Sequence, residues 1–189
     1  MNINDILKEK GMTKYRLATL SGVPHTTLNN ICSGQARIEK CSAETLYKIA
    51  KVLNVTIEDL IEEAMVETVS FELFKSNVCH RVKDAGDVQF IVETLEANDI
   101  GRYYRLKKYA EAFYLLAMLD YLSRENEIPL CNEYDDIRRG KLAEPLFPDG
   151  VIALANATGD ESVKQKYYEE AIPEFKQFNI IENEVRNVI

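Results

Sequence analysis

Four short polar side chains lie close together between residues 25 and 30: His25, Thr26, Asn29 and Asn30. An asparagine amide can pair with both hydrogen-bonding groups of adenine in the major groove, and a threonine can donate to base edges or pack against the thymine methyl. On an exposed helical face these residues would therefore favour recognition of DNA bases. Outside such a setting, each would be an ordinary solvated surface residue.

Two short helical patterns would have to position this polar face. The first is predicted to begin after Thr13, a good N-cap, and to end near Ser21. Gly22 follows, where the tight turn between the helices requires a left-handed residue. The residues predicted to face the core are Leu17, Ala18 and Leu20 in the first helix and Leu28 and Ile31 in the second.

Three further helices are predicted around this pair. One covers residues 2–10, with Asn2 or Asn4 as its cap, and residues 35–41 are predicted to form a loop. Ser42 is expected to cap a fourth helix that ends at Asn54, and Thr56 a fifth. Five helices joined by short loops in about 65 residues indicate a compact bundle.

These residues resemble the XRE/Cro-type, phage-repressor-like helix-turn-helix family. The resemblance lies in three segments: Met12-Thr13-x-x-x-Leu17-Ala18-x-x-Ser21-Gly22-Val23-Pro24, then Thr27-Leu28-x-x-Ile31-x-x-Gly34, and finally Glu44-Thr45-Leu46-x-x-Ile49-Ala50-x-x-Leu53-Asn54-Val55-Thr56-x-x-Asp59-Leu60. It implies an all-α chain with a five-helix, repressor-like DNA-binding head over residues 1–65. One departure is Cys32, which stands where the family often has an acidic residue.

The resemblance also implies which residues meet DNA. Thr13 and Lys14, at the start of the second helix, would contact a phosphate, and the third helix would enter the major groove. The residues implied to face the groove are His25, Thr26, Thr27, Asn29 and Asn30. Gln35, Arg37 and Lys40 follow that helix closely and are expected at backbone phosphates. For Tyr15 and Arg16, a DNA contact and a surface position stay equally open.

Charge is distributed unevenly along the chain. Residues 1–55 carry eight basic and four acidic side chains, a net charge of +4, whereas residues 56–189 carry 15 basic and 27 acidic ones, a net charge of −12. A basic head can approach phosphates while an acidic body stays clear of them. The total of −8 therefore does not argue against DNA binding.

Residues 66–189 are predicted to form an all-helical domain for dimerisation or for binding a partner or ligand. Its central element is expected to be a single helix from Ile100 to Arg124, in which Asp120 needs a partner or an edge position. An apolar stripe on another helix is predicted from Val88, Ile91, Val92 and Leu95. The segment from Ile172 to Ile189 is predicted as a helix that packs on this domain or on another subunit.

Two polar groups in this domain have alternative interpretations. Asp135, Asp136, Arg138 and Arg139 favour a surface charge cluster over an acid/base or metal site. A core role with wetted hydroxyls is favoured over a pocket or interface for six tyrosines: Tyr103, Tyr104, Tyr109, Tyr114, Tyr121 and Tyr134.

The sequence contains none of the motifs that would predict catalysis, such as a Gly-rich phosphate loop, Gly-x-Ser-x-Gly or His-Glu-x-x-His. We therefore expect no enzymatic activity, no cofactor and no metal site. The four cysteines, Cys32, Cys41, Cys79 and Cys131, are interpreted as reduced thiols. A cytoplasmic protein without a membrane partner is expected, because no apolar run is long enough to span a bilayer and a signal-peptide pattern is missing.

The first functional hypothesis is a sequence-specific transcriptional regulator, a repressor that binds double-stranded operator DNA as a homodimer. The alternative is an antitoxin-type protein. In that case the acidic helical domain would neutralise a toxin-like partner protein, while the head autoregulates the operon.

Overall fold

The computed structural model describes residues 3–65 and 69–186. This part of the chain contains 13 α-helices and no β-strand. The predicted all-α class, a repressor-like head followed by further helices, is therefore confirmed. Contacts divide the chain into two units, residues 1–68 and 69–189.

The first unit is a bundle of five helices, joined by a 3-10 turn at Ile38–Lys40 within the predicted loop. The helices are α1 (Ile3–Glu9), α2 (Lys14–Ser21), α3 (His25–Cys32), α4 (Ala43–Leu53) and α5 (Ile57–Met65). Of the two predicted caps for α1, Asn2 lies outside the described residues. Asn4 lies inside the helix, and its Nδ2 donates to the Cys32 carbonyl oxygen at 2.9 Å.

The predicted capping residues begin α2, α4 and α5, whereas the prediction of Asn4 as the cap of α1 is wrong. Thr13 Oγ1 accepts a hydrogen bond from the Arg16 backbone N–H at 3.1 Å, and Ser42 Oγ accepts one from Thr45 at 3.2 Å. Thr56 and Asp59 exchange hydrogen bonds at 2.9 and 3.0 Å, which forms a capping box at the start of α5.

The core of the first unit gathers one apolar stripe from each helix. Leu17, Leu28, Ile49 and Leu53 are completely buried there. Leu20 was predicted to join them but is 56% exposed. The buried side of α2 is defined by Leu17, Ala18 and Ser21, and one short helix can cover only a narrow stripe.

Over residues 69–186, the second unit contains eight helices, two of which are single turns, and a 3-10 turn at Asn132–Tyr134. The helices are α6 (Phe71–Ala85), α7 (Asp87–Ala97), α8 (Asp99–Arg105), α9 (Tyr109–Glu125), α10 (Asp135–Arg138), α11 (Asp149–Thr158), α12 (Ser162–Glu169) and α13 (Pro173–Lys176). Helix α9 is the centre of the core, because every residue from 112 to 120 is buried.

The helix predicted from Ile100 to Arg124 is in fact two helices, α8 and α9. Lys107 takes a left-handed conformation with φ +60° between them. The Lys107 N–H donates to the Tyr104 carbonyl at 3.0 Å and the Lys108 N–H to that of Tyr103 at 3.0 Å, the pattern of a Schellman cap. The chain therefore turns back, and α8 packs against α9.

Helix α7 buries a different face from the one predicted. Val88 and Val92 are 55% and 41% exposed, whereas Phe90, Ile91 and Thr94 are buried. The large ring of Phe90 occupies the core position, because it removes more apolar area from water than a valine does. The predicted stripe is therefore wrong for both valines.

The C-terminal segment packs on its own unit, but the prediction of a helix there is wrong beyond Lys176. Its backbone runs beside residues 142–146 instead: the Leu146 N–H donates to the Asn179 carbonyl at 2.8 Å and the Ile181 N–H to that of Leu146 at 2.9 Å. Phe178 and Ile180 are completely buried in this arrangement. Residues 187–189 lie outside the described residues.

Asp120 finds the partner that its buried position requires. Arg138 donates to both of its carboxylate oxygens at 2.8 Å, and the side chains of Asp120 and Arg138 are 4% and 14% exposed. The interpretation as a surface charge cluster is therefore wrong for Arg138. Arg139 and Asp136 do form an exposed pair, at 3.0 Å.

The tyrosines divide between the core and its edge. Tyr114 and Tyr134 are buried, whereas Tyr109 is 43% exposed and the other three are partly buried. In Tyr114, burial raises the pKa of the hydroxyl far above its ordinary value, and the hydroxyl lies 3.4 Å from Cys79 Sγ. These rings mainly fill and border the core.

Candidate nucleic-acid interface

Helix α3 presents a polar face to solvent and an apolar face to the core. Leu28, Ile31 and Cys32 are buried. The exposed residues are His25, Thr26, Asn29 and Asn30, and Thr27 is partly buried. Within the described part of the chain, neither the Asn29 nor the Asn30 amide hydrogen-bonds to a protein atom. These amides are therefore available to an external partner.

The turn between α2 and α3 fixes the orientation of this face. Gly22 has φ +69°, and its N–H donates to the Ala18 carbonyl at 3.0 Å. Ser21 Oγ donates to the Leu17 carbonyl at 2.7 Å and accepts from the Val23 N–H at 3.3 Å. Because the hydroxyl bonds on both sides of the turn, α3 leaves α2 in one defined direction.

The start of α2 provides a second polar position in the same unit. Thr13 is exposed and Lys14 is partly buried. The first backbone N–H groups of a helix have no intrahelical partner, so they can bind an anion together with a nearby ammonium group. The Thr13 hydroxyl oxygen accepts a hydrogen bond from the Arg16 N–H, and its O–H remains able to donate to a phosphate oxygen.

The segment after α3 carries the remaining predicted contacts, and Gln35, Arg37 and Lys40 are all exposed. The Ala36 N–H donates to the Asn30 carbonyl at 3.0 Å, which holds this segment against α3. The Arg37 guanidinium contacts the Glu39 carboxylate. A backbone hydrogen bond at Glu39 and the contact with Arg37 hold the pKa of that carboxyl below its usual range.

Cys32 stands inside this arrangement as a neutral thiol. Burial raises the pKa of the thiol, and the Lys14 ammonium offsets only part of that effect. A raised pKa keeps the reactive thiolate form scarce at neutral pH. The residue therefore acts as a small apolar core side chain at the end of α3.

For Tyr15, the sequence leaves open whether the residue contacts DNA or is an ordinary surface residue. The ring centroid of Tyr15, in the first turn of α2, lies 5.9 Å from that of His25, and the ring planes are inclined by 57°. Sequence reasoning could not place these rings together, because the angle between α2 and α3 decides their distance. Two aromatic side chains near adjoining helix starts were the available signal.

Residues 2–63 match the family model of the Cro/C1-type HTH DNA-binding domain. The predicted resemblance is confirmed, and the N-terminal third of the chain is a DNA-binding domain of this type. This match supports a DNA-binding transcriptional regulator, and the family that residues 2–63 match is a regulatory rather than an enzymatic one.

No curated protein and no solved structure gives a significant match to the chain. Within residues 3–65 and 69–186, no group of three or more His, Cys, Asp or Glu side chains could hold a metal ion. Among the helices described, none combines the length and the apolar character needed to cross a membrane.

Proposed function

We propose that the chain is a sequence-specific repressor that binds operator DNA as a homodimer through residues 1–65. The observation that carries this proposal is the polar face of α3, where His25, Thr26, Asn29 and Asn30 are exposed beside a buried apolar face. An α-helix fits the major groove, and asparagine and threonine match the groups that adenine and thymine present there.

The proposed contacts fall into two classes. Base edges are contacted from α3 by His25, Thr26, Thr27, Asn29 and Asn30. Backbone phosphates are contacted by Thr13, Lys14, Gln35, Arg37 and Lys40. The phosphate contacts fix the position of the head on the duplex, and the base contacts supply sequence preference.

A dimer is proposed because one head offers few contacts. A single eight-residue recognition helix and one loop cannot supply the interface area that tight, specific DNA binding needs. Two heads on half-sites about one helical turn apart double the contacts, and they predict a palindromic site. In this proposal residues 66–189 hold the two copies together in the cytoplasm, and binding at the promoter blocks transcription.

The test is a band-shift titration of the full chain with the DNA upstream of its own gene and with a scrambled duplex of equal length. Replacing both Asn29 and Asn30 by alanine should remove most of the preference for the upstream DNA, because each good base pairing contributes about 1–3 kcal/mol of discrimination. The matched control is Lys48→Ala on α4, whose side chain pairs with Glu44 and which should leave the preference intact. Full preference in the double asparagine variant would refute the assignment of α3.

Salt dependence tests the phosphate contacts separately. The logarithm of the binding constant should fall linearly with the logarithm of salt concentration, and Lys14→Ala or Lys40→Ala should each reduce the slope by about 0.9. A slope that neither substitution changes would contradict these two contacts, even if the base contacts are correct.

The surface of the second unit favours a second candidate function, the neutralisation of a partner protein. Several large hydrophobic side chains of this unit are exposed: Leu73, Val88, Val92, Leu130, Ile152 and Leu154. Val88 and Val92 lie one turn apart on α7, and a contiguous apolar patch of this kind, unlike scattered apolar residues, is typical of protein interfaces. Co-expression of the chain with the product of the adjacent gene tests this function: a toxic product that the chain neutralises and co-purifies with would support it, and a harmless or unbound product would contradict it.

A further inference from the structure

Tyr15 is a large aromatic side chain that the head leaves in solvent. It is 72% exposed, although it lies in the first turn of α2, next to the proposed phosphate contacts Thr13 and Lys14. Its exposure means that the core of the head does not need the ring. Any function of the Tyr15 ring must therefore be sought in its contacts at the surface.

The described contact of the ring is with His25, the first residue of α3. The two ring centroids are 5.9 Å apart and the planes are inclined by 57°. This separation lies inside the range of roughly 4.5–7 Å in which aromatic pairs attract each other. The contact joins α2 to α3 beside the proposed DNA-binding surface, and both side chains are exposed to solvent.

An isolated histidine at an exposed helix start would sample several side-chain rotamers. The Tyr15 ring occupies one side of the imidazole and so removes the rotamers that would point there. A recognition side chain held in its bound orientation loses less conformational freedom on binding. In this arrangement the rotamers of the His25 side chain are already restricted before DNA binds.

We propose that Tyr15 is a positioning residue for sequence recognition: its ring holds the His25 imidazole in the orientation that reads one base pair in the major groove. An imidazole N–H suits the acceptors of a purine, N7 or the guanine O6. Tyr15 acts through His25 and does not itself contact the base. This inference rests on the proposed function, since it requires that α3 enters the groove.

The experiment starts with the unaltered full chain and a library of random DNA duplexes, from which the bound sequences are selected. Failure to select any sequence would refute the proposed function of the head. With a selected duplex available, dissociation constants are measured for it and for duplexes changed at one base pair at a time. The proteins compared are the unaltered chain, His25→Ala, Tyr15→Leu, Tyr15→Phe and the double variant His25→Ala with Tyr15→Leu.

We expect His25→Ala to reduce the discrimination at one base pair from about tenfold or more to about twofold, and to leave the other positions unchanged. Tyr15→Leu should reduce discrimination at that same base pair, whereas Tyr15→Phe should preserve it because the ring remains. The double variant should be no less discriminating than His25→Ala alone, since coupled residues are not additive.

The matched control is Tyr47→Leu, which removes a tyrosine that is 57% exposed on α4 and should leave all discrimination ratios unchanged. Circular dichroism checks that each variant keeps its helix content, and Tyr15→Gln replaces Tyr15→Leu if the leucine variant loses it. The inference is overturned if Tyr15→Leu weakens all duplexes by one common factor, if its effect multiplies with that of His25→Ala, or if it has no effect.

Discussion

Arg37 and Glu39 form an ion pair at the edge of the proposed DNA-binding surface. The carboxylate both neutralises the guanidinium and repels phosphates, so Glu39→Gln should release Arg37 and strengthen DNA binding. Because the Arg37 side chain is 68% exposed, solvent screens its interaction with Glu39, and we expect a two- to fivefold lower dissociation constant at low salt. A band-shift titration of the unaltered chain and the variant measures the two dissociation constants.

The effect of Glu39→Gln should shrink as salt is added, because screening weakens both the pair and the repulsion. Glu44→Gln is the control: it removes a carboxylate that pairs with Lys48 on α4 and not with Arg37. Equal strengthening by both substitutions would show a general charge effect and would contradict a specific role for Arg37.

Arg138 and Arg139 are adjacent in the chain but differ in their surroundings. Arg138 neutralises the buried Asp120, so Arg138→Met would leave an unpaired charge in the core and should lower the free energy of unfolding by about 3–5 kcal/mol. Arg139 pairs with Asp136 where both side chains are largely exposed, so Arg139→Met should change little. Urea unfolding followed by circular dichroism compares the two, and equal losses would contradict the burial argument.

The turn element between α2 and α3 depends on a residue that tolerates positive φ. An added Cβ at Gly22 would meet no atom within 4 Å, so Gly22→Ala would cause strain only through its φ of +69°. We expect it to destabilise the head by about 1 kcal/mol. Hydrogen exchange of α2 and α3, followed by mass spectrometry, localises the effect.

Gly150 in α11 is the matched control for Gly22. It also has open space around its Cβ position but does not have a positive φ. Gly150→Ala should therefore stabilise its helix by about 0.5 kcal/mol, because alanine has less backbone entropy to lose. If both substitutions had the same sign, the conformational explanation for Gly22 would be wrong.

The elements of the head were largely predictable because their signals are local. Thr13, Ser42 and Thr56 cap the helices that follow them, and Gly22 marks the turn. The break between α8 and α9 could not be predicted, because a lysine occupies the left-handed position that glycine usually marks. Neither could the turn at residues 177–179 and the pairing with residues 142–146, since burial of the apolar residues there overrides their helical spacing.

The candidate site was predictable in its residues but not in its pairings. The exposure of Asn29 and Asn30 follows from helical periodicity once Leu28 and Ile31 face the core. The contacts of Arg37 with Glu39 and of Tyr15 with His25 depend on a turn and an interhelical angle that no residue pattern specifies. The polar character of the site can therefore be predicted from the sequence, whereas the contacts between its side chains can be described only from the folded structure.

On the scale of the whole second unit, Arg186 ties the C-terminal segment to the start of α7. Its guanidinium donates to both oxygens of Asp87 at 3.0 and 2.8 Å, and Asn126 adds a third hydrogen bond at 2.9 Å. The hydrogen bonds from Arg186 are the main reason that the pKa of Asp87 lies below its ordinary value of 3.8. This carboxylate therefore binds protons less readily in the folded chain than in the unfolded one.

A lowered carboxyl pKa stabilises the folded state above the unfolded pKa, and the contribution disappears as pH falls through the folded pKa. Asp87→Asn should therefore lower the free energy of unfolding at pH 6 by about 1 kcal/mol, since the pair is partly exposed. The difference from the unaltered chain should shrink below about pH 3.8. Urea unfolding at several pH values measures this difference in the free energy of unfolding. A difference that does not change with pH would show that it does not arise from the lowered pKa of Asp87.

The pairing of residues 142–146 with the C-terminal segment also affects the order of folding during synthesis. Phe175, Phe178, Ile180 and Val185 complete the core around α9, so that core stays open until these late residues have been made. Among residues 3–65 and 69–186, the core cluster of the head ends at Ile61. At ordinary elongation rates, synthesis of the head is complete on the order of ten seconds before these late core residues of the second unit are made. During this interval the nascent chain carries a finished DNA-binding head, while the apolar surface of α9 is still accessible to chaperones and proteases.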